Sequence, residues 1–352
     1  MRIGLVRRGH SATGGAEAYL IRLASGLASE GHDPVLITNQ DWPEAAWTHS
    51  HILRLSGETP QAFAQAFRAT DTGCDVHLSL ERVPGCEVFR AGDGVHAAWL
   101  KRREGFEPWW KKATRWVNPK HKQLLELERE VFLDPETRAV IANSRLVHDE
   151  VLSHYPGMAG RVHVIQNGIA TTLPAGNRRE ARAKFGIADD APCALFVGTG
   201  WDRKGLRVAV DAVAMSKNTN LLVAGRGPAD AFWAPRVKFV GPVRDLSSLF
   251  GAADLFVLPT YYDPFSNACL EALAAGLPVI TTAANGFSEI LELGIHGDIV
   301  PTGNARALAQ LLVTWTPERC RTAATACRSR AAEFSIERNT QATLRVLESV
   351  AR

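Results

Sequence analysis

Apolar residues along the chain fall into two alternating rhythms. Short continuous runs bounded by turn-forming residues predict strands covered on both faces: Arg2–Val6, Val35–Thr38, His51–Leu55, Val76–Leu80, Glu87–Arg90, Thr137–Ala142 and the run from Val162. Between them the spacing changes to three and four. Ala16, Leu20, Leu23, Ala24, Leu27 and Ala28 share one face of a helix over 16–30, and Lys122–Phe132 predicts a long charged helix. Periodicity lapses over Thr171–Arg179, and the same alternation then resumes with strands at Cys193–Val197, Leu221–Ala224, Val237–Val240, Leu255–Leu258 and Val279–Thr281. An alanine- and arginine-rich helical stretch over about 318–350 closes the chain. Strand and helix alternating in this way predict an α/β protein with parallel sheets, divided near residue 170 into two Rossmann-like halves.

Composition narrows this picture without changing it. The 352 residues, 46% hydrophobic and 22% charged, suit two globular domains. No apolar run approaches the roughly 20 residues that a membrane-spanning helix needs. The first apolar run ends in Arg7-Arg8, whereas a secretory signal places its charges first, so a cytoplasmic location is expected. Six cysteines without a Cys-x-x-Cys pair give no zinc ribbon or disulfide scaffold. A net charge of +3 does not make the whole chain a binder of polyanions such as nucleic acid.

Two stretches carry candidate chemistry. Val197-Gly198-Thr-Gly-Trp-Asp-Arg203-Lys204-Gly205 runs from a strand through glycines and two adjacent cations into the apolar helix pattern of Leu206, Val210 and Val213. Glycines allow close backbone approach, and cations beside free amides favour a phosphate. From Pro259, a second stretch places Asp263 and Glu271 eight residues apart across a loop and a helix start. Carboxylates beside phosphates are suited to sugar hydroxyls. Diphosphate with hydroxyls describes a nucleotide-sugar. Taken singly, an Arg-Lys pair reads as solvated surface and two such carboxylates as unrelated. In the first half, Gly14-Gly15 reads as a tight turn, and Asp93 in Ala91-Gly-Asp-Gly-Val-His96 either presents a ligand group at a strand end or bonds its own turn.

These residues together resemble family 4 of the GT-B glycosyltransferases, and within it the lipopolysaccharide core glucosyltransferases of bacteria. The Gly-x-x-x-x-Arg-Lys-Gly loop resembles the family's diphosphate loop. Asp263 and Glu271 stand where the family has two glutamates, with Asp263 one methylene shorter. The resemblance covers essentially the whole chain and is strongest over 197–290. It implies a GT-B fold, two Rossmann-like domains facing a central cleft: an acceptor domain over 1–170, a donor domain over 171–335, and a helix over 336–352 returning to the first. Gly14 and Gly15 would then lie beside donor or acceptor, and Asp93 near the acceptor hydroxyl and the anomeric carbon, with His96 beside the acceptor. Val243 would line the base, Phe265, Ser266 and Asn267 would lend amides at a helix start, and Glu271 would hold ribose hydroxyls. Retention of anomeric configuration and a UDP-glucose donor are implied in the same way.

Residues 99–122 hold eight basic residues against two acidic ones, with four of the nine tryptophans. Trp99, Arg102, Trp109, Trp110, Lys111, Lys112, Arg115 and Trp116 read as an anionic-membrane or lipid-linked-acceptor patch, since the resembling enzymes act at the inner membrane. Core packing of the tryptophans and single-stranded nucleic acid are the alternatives. No Asp-x-Asp is present, and Arg203 and Lys204 supply the charge a divalent ion would supply, so no metal and no cofactor are expected. Competing functions are a nucleotide-sugar epimerase on the same architecture and a catalytically silent lipid- or glycan-binding module.

Overall fold

The computed structural model describes residues 1–10, 15–39, 42–49, 51–107, 118–170, 173, 175–216, 218–243 and 245–351. Its strands are β1 (Arg2–Val6), β2 (Asp33–Thr38), β3 (His51–Arg54), β4 (Val76–Ser79), β5 (Val88–Arg90), β6 (Ala139–Ala142) and β7 (Val162–Val164), followed by β8 (Cys193–Val197), β9 (Asn220–Ala224), β10 (Val237–Gly241), β11 (Leu255–Leu258), β12 (Val279–Thr282) and β13 (Gly297–Val300). They form two sheets, in the order β3-β2-β1-β4-β5-β6-β7 and β10-β9-β8-β11-β12-β13. Every strand pair is parallel. In both sheets the strand order reverses about the first strand, and ligands of such sheets bind beyond the carboxyl ends of the strands at that reversal.

Two compact units result, one of Met1–Gly168 with Ile336–Arg352, the other Ile169–Ser335. Each has its own core. In the first, the helix Gly15–Ser29 buries Tyr19, Leu20, Leu23, Ala24 and Leu27, and the helix Ile336–Val350 buries Val346 and Leu347 in the same cluster. A Cβ at Gly26 would stand 2.3 Å from Thr340 Oγ1, so these two helices approach at a distance only glycine permits. Tyr19 donates to Asn339 Oδ1 at 2.9 Å, and Asn339 Nδ2 donates to Gln166 O at 2.6 Å, which satisfies polar groups buried between helix and sheet.

In the second unit β8 and β11 are apolar throughout, β12 adds two threonines, and all three are nearly inaccessible, as strands covered on both faces must be. The buried Asp254 carboxylate pairs with Arg178 at 2.6 Å and Arg182 at 2.8 Å and accepts the Cys193 N–H at 2.9 Å. A carboxylate taken from water needs such donors to be tolerated. This cluster fastens the helix Arg178–Phe185 to the sheet. Among the described residues no helix is long and apolar enough to cross a membrane.

Candidate active site

The carboxyl end of β8 enters Gly198 at φ +155°, and a Cβ there would lie 2.6 Å from Lys204 Cδ. Only glycine leaves the lysine stem that path. A single helical turn, Trp201–Lys204, follows, and Gly205 at φ +75° separates it from the helix Leu206–Met215. The cation pair therefore ends a short turn of its own; it does not open the longer helix. Trp201 is buried against Phe232 and Phe239 and donates its indole N–H to Gly198 O at 2.9 Å, which fixes the turn.

This turn is fastened to the loop after β11. Arg203 Nη1 donates to Tyr262 O at 2.8 Å, while Arg203 O accepts Tyr261 N–H at 2.8 Å and the Thr260 hydroxyl at 2.9 Å. Lys204 Nζ stands 3.3 Å from Asp263 Oδ2, with both side chains largely buried. Arg203, Lys204 and Asp263 are thus brought together from segments about 60 residues apart in sequence. The lysine neutralises a carboxylate that would otherwise oppose an incoming phosphate.

Asn285 holds this loop from the other side. It is inaccessible, and its Oδ1 accepts N–H groups of Ser266 at 3.2 Å and Phe287 at 3.1 Å while Nδ2 donates to Thr281 Oγ1 at 3.0 Å. Asp263 N–H donates to Ala284 O, and Gly286 N–H to Asp263 O, both at 2.9 Å. Such a fully satisfied buried network fixes one geometry for the loop. In the sequence, Asn285-Gly286 reads as an ordinary turn, so nothing there marked the asparagine.

Most of the expected donor contacts lie around the same loop. Ser266 caps the helix Asn267–Ala274 through Cys269 N–H, and its own N–H is spent on Asn285. It shapes the helix start and has no amide left to lend. Phe265 is 4% exposed and packs against Phe287, so its ring belongs to the core. Asn267 and Glu271 lie half-buried on that helix, and Val243 is exposed beyond β10. Cys269 is buried beneath the site, and burial pushes its thiol up to about 12, leaving it without nucleophilic character.

In the other unit, Asp93 is exposed in the turn after β5. His96 opens the helix His96–Arg103, its Nε2 3.1 Å from His121 Nδ1. Burial first, then the charges of Arg82, His121 and Arg103, lower it to about 4, so the ring is neutral near pH 7. Gly15 begins its helix and is exposed; Gly14 lies outside the described residues. Of the aromatic-basic patch, Arg102 pairs with Glu150 at 3.0 Å, and Trp99 lies half-buried with Phe106 and the Arg103 guanidinium beside its ring. Trp109, Trp110, Lys111, Lys112, Arg115 and Trp116 lie outside the described residues. Among the described residues there is no group of three or more His, Cys, Asp or Glu able to hold a metal ion.

Comparison with known proteins agrees with the fold. Residues 191–316 match the family described as glycosyl transferases group 1. The chain is 27% identical over 317 residues to the lipopolysaccharide glucosyltransferase WaaG of Escherichia coli K12, covering 82% of each protein. A solved structure of WaaG superposes with a TM-score of 0.77 at 20% identity, over 98% of this chain and 99% of that one. Anabaena HepE in complex with UDP and glucose gives 0.74 at 18% identity, over 99% of this chain and all of that one. The D-inositol 3-phosphate glycosyltransferase of Mycobacterium tuberculosis H37Ra is 30% identical over 230 residues, 59% of this chain and 48% of that protein.

Proposed function

With the chain a glycosyltransferase of GT-B fold carrying a group 1 domain at 191–316, we propose that it moves a hexose from a nucleotide-sugar to a glycan or lipid-linked acceptor with retention and without a metal ion. The observation that carries this reading is the Arg203–Lys204 turn locked against the Asp263 loop. In transfer, an acceptor hydroxyl oxygen forms a bond to the anomeric carbon, the bond from that carbon to the diphosphate oxygen breaks, and the hydroxyl proton passes to the departing diphosphate. Negative charge builds on the departing diphosphate. Cations already held in place stabilise that charge without reorganising. Lys204, held in place by its pair with Asp263, meets the diphosphate, and the Asp263 carboxylate also accepts a hydroxyl of the donor sugar. Glu271 holds the ribose, and Asp93 and His96 stand on the acceptor side.

UDP-glucose is the proposed donor, supported by the likeness to a glucosyltransferase and to a structure containing UDP and glucose. Lipopolysaccharide core is the proposed acceptor, by the first of these. Assay of UDP release from UDP-glucose with a lipopolysaccharide-core oligosaccharide in EDTA tests the reading. Undiminished turnover with an α-linked product is expected. Loss restored by magnesium overturns the metal-free mechanism, sugar interconversion without transfer indicates an epimerase, and silence across a panel of nucleotide-sugars indicates a binding module.

Attachment to the anionic face of the inner membrane is proposed from the density of Trp, Lys and Arg over 99–122. Replacing Lys111, Lys112 and Arg115 by glutamine is expected to reduce sedimentation with phosphatidylglycerol vesicles. Equal sedimentation returns these residues to a solvated surface.

A further inference from the structure

Glu128, on the helix Pro119–Leu133, is completely inaccessible, and nothing in the residues around it singles it out. Five donors converge on its carboxylate. Arg82 reaches it through Nε at 3.1 Å and Nη2 at 3.0 Å, Tyr155 through its hydroxyl at 3.2 Å, and the N–H groups of His96 and Ala97 complete the set, Ala97 at 3.1 Å. Those two amides are the first of the helix His96–Arg103, whose preceding residue, Val95, has no side-chain oxygen to cap it. Glu128 supplies the missing cap from another helix.

The same ion pair reaches the turn that carries Asp93. Arg82 Nη2 also donates to Gly94 O at 2.9 Å, and Asn143 Nδ2 donates to Gly92 O at 3.0 Å. The carbonyls on either side of Asp93 are therefore held by side chains of other elements, while Asp93 itself is exposed between them. Arg82 lies on the same unit just after β4, so the clamp joins the β4 edge, the Asp93 turn and two helices. A buried carboxylate is costly unless paired and hydrogen-bonded, and a fully satisfied one leaves its neighbours a single arrangement.

We infer that Glu128 is a positioning residue: through Arg82 and the first amides of the helix His96–Arg103, it fixes the backbone that places the Asp93 carboxylate for transfer. This rests on the reading of Asp93 as a group at the reacting centre. Displacement of a reacting group by about 1 Å lowers rate by about 100-fold, which sets the scale of effect.

A double-mutant cycle with Glu128→Gln and Asp93→Asn tests the inference, read by kcat and KM for UDP-glucose and by amide hydrogen exchange over 92–97. Glu128→Gln is expected to lower kcat by about 10- to 100-fold with KM for the donor unchanged, and to add little on the Asp93→Asn background. Exchange over 92–97 should rise in Glu128→Gln and stay unchanged in Asp93→Asn. An equal fall in kcat on both backgrounds, or unaltered exchange, overturns the inference and makes Glu128 merely structural. If Asp93→Asn alone keeps full kcat, the role of Asp93 fails and the inference falls with it, whatever exchange shows. Should Glu128→Gln not fold, Arg82→Lys keeps the ion pair while giving up the second contact to Gly94 O, and the same pattern is expected of it.

Discussion

Replacing Lys204 by alanine will lower kcat/KM by about 100- to 1000-fold, the usual scale for removing one preorganised partner of developing charge. It will also lower the melting temperature, because Asp263, only 7% exposed, loses the cation 3.3 Å from it. Breaking a buried pair by removing one member costs about 3–5 kcal/mol, most of it from the charge left behind. The two effects separate in a second variant. Lys204→Ala with Asp263→Asn should regain the melting temperature and remain inactive, since amide for carboxylate removes the stranded charge without restoring the diphosphate partner. Turnover in Lys204→Ala within a few-fold of the parent protein would remove the lysine from the mechanism.

Gly205→Ala is expected to be strongly destabilising in the donor unit. At φ +75° any side chain costs about 1–2 kcal/mol, and here the new Cβ would also lie 2.0 Å from Pro259 O, a backbone atom. Relief requires moving the loop that carries Thr260 and Asp263, and with it the contacts to Arg203. A loss above about 4 kcal/mol by urea denaturation follows, with activity lost in the same variant. Gly200→Ala is the control: its φ is +71°, yet no atom lies within 4 Å of the added carbon, so only the conformational strain of about 1–2 kcal/mol remains. Equal losses in the two variants would show that the Pro259 contact does not lock the turn.

The sheets were legible because buried parallel strands are written as short apolar runs. Arg2–Val6, Cys193–Val197 and Leu255–Leu258 are strands with the ends the sequence predicts. β13 was not foreseen: Gly297-Asp298-Ile299-Val300 has two apolar residues and begins at a glycine with φ +139°. Its place in the sheet comes from pairing with β12, a long-range property that no local window contains. The helical stretch predicted over 318–350 is two helices, Pro317–Ala332 and Ile336–Val350.

The cation pair and Asp263 stood out because charge beside glycine at a strand end is unusual. Their partners did not stand out. Asn285 and Glu128 act through buried hydrogen bonds to distant segments, and a lone asparagine before glycine or a glutamate in a charged helix carries no local mark of that role. The acceptor that takes the Ser266 amide is likewise 19 residues away, where no local window reaches it.

The central claim is that Arg203 and Lys204 grip the diphosphate of a nucleotide-sugar without help from a metal. Calorimetric titration of the protein with UDP-glucose in EDTA tests it most directly. One saturable site is predicted, weakened by about 10-fold or more in Lys204→Ala, in keeping with about 1.5–3 kcal/mol for a charged hydrogen bond. Absence of binding until magnesium is added, or equal affinity in the parent protein and the variant, would contradict it.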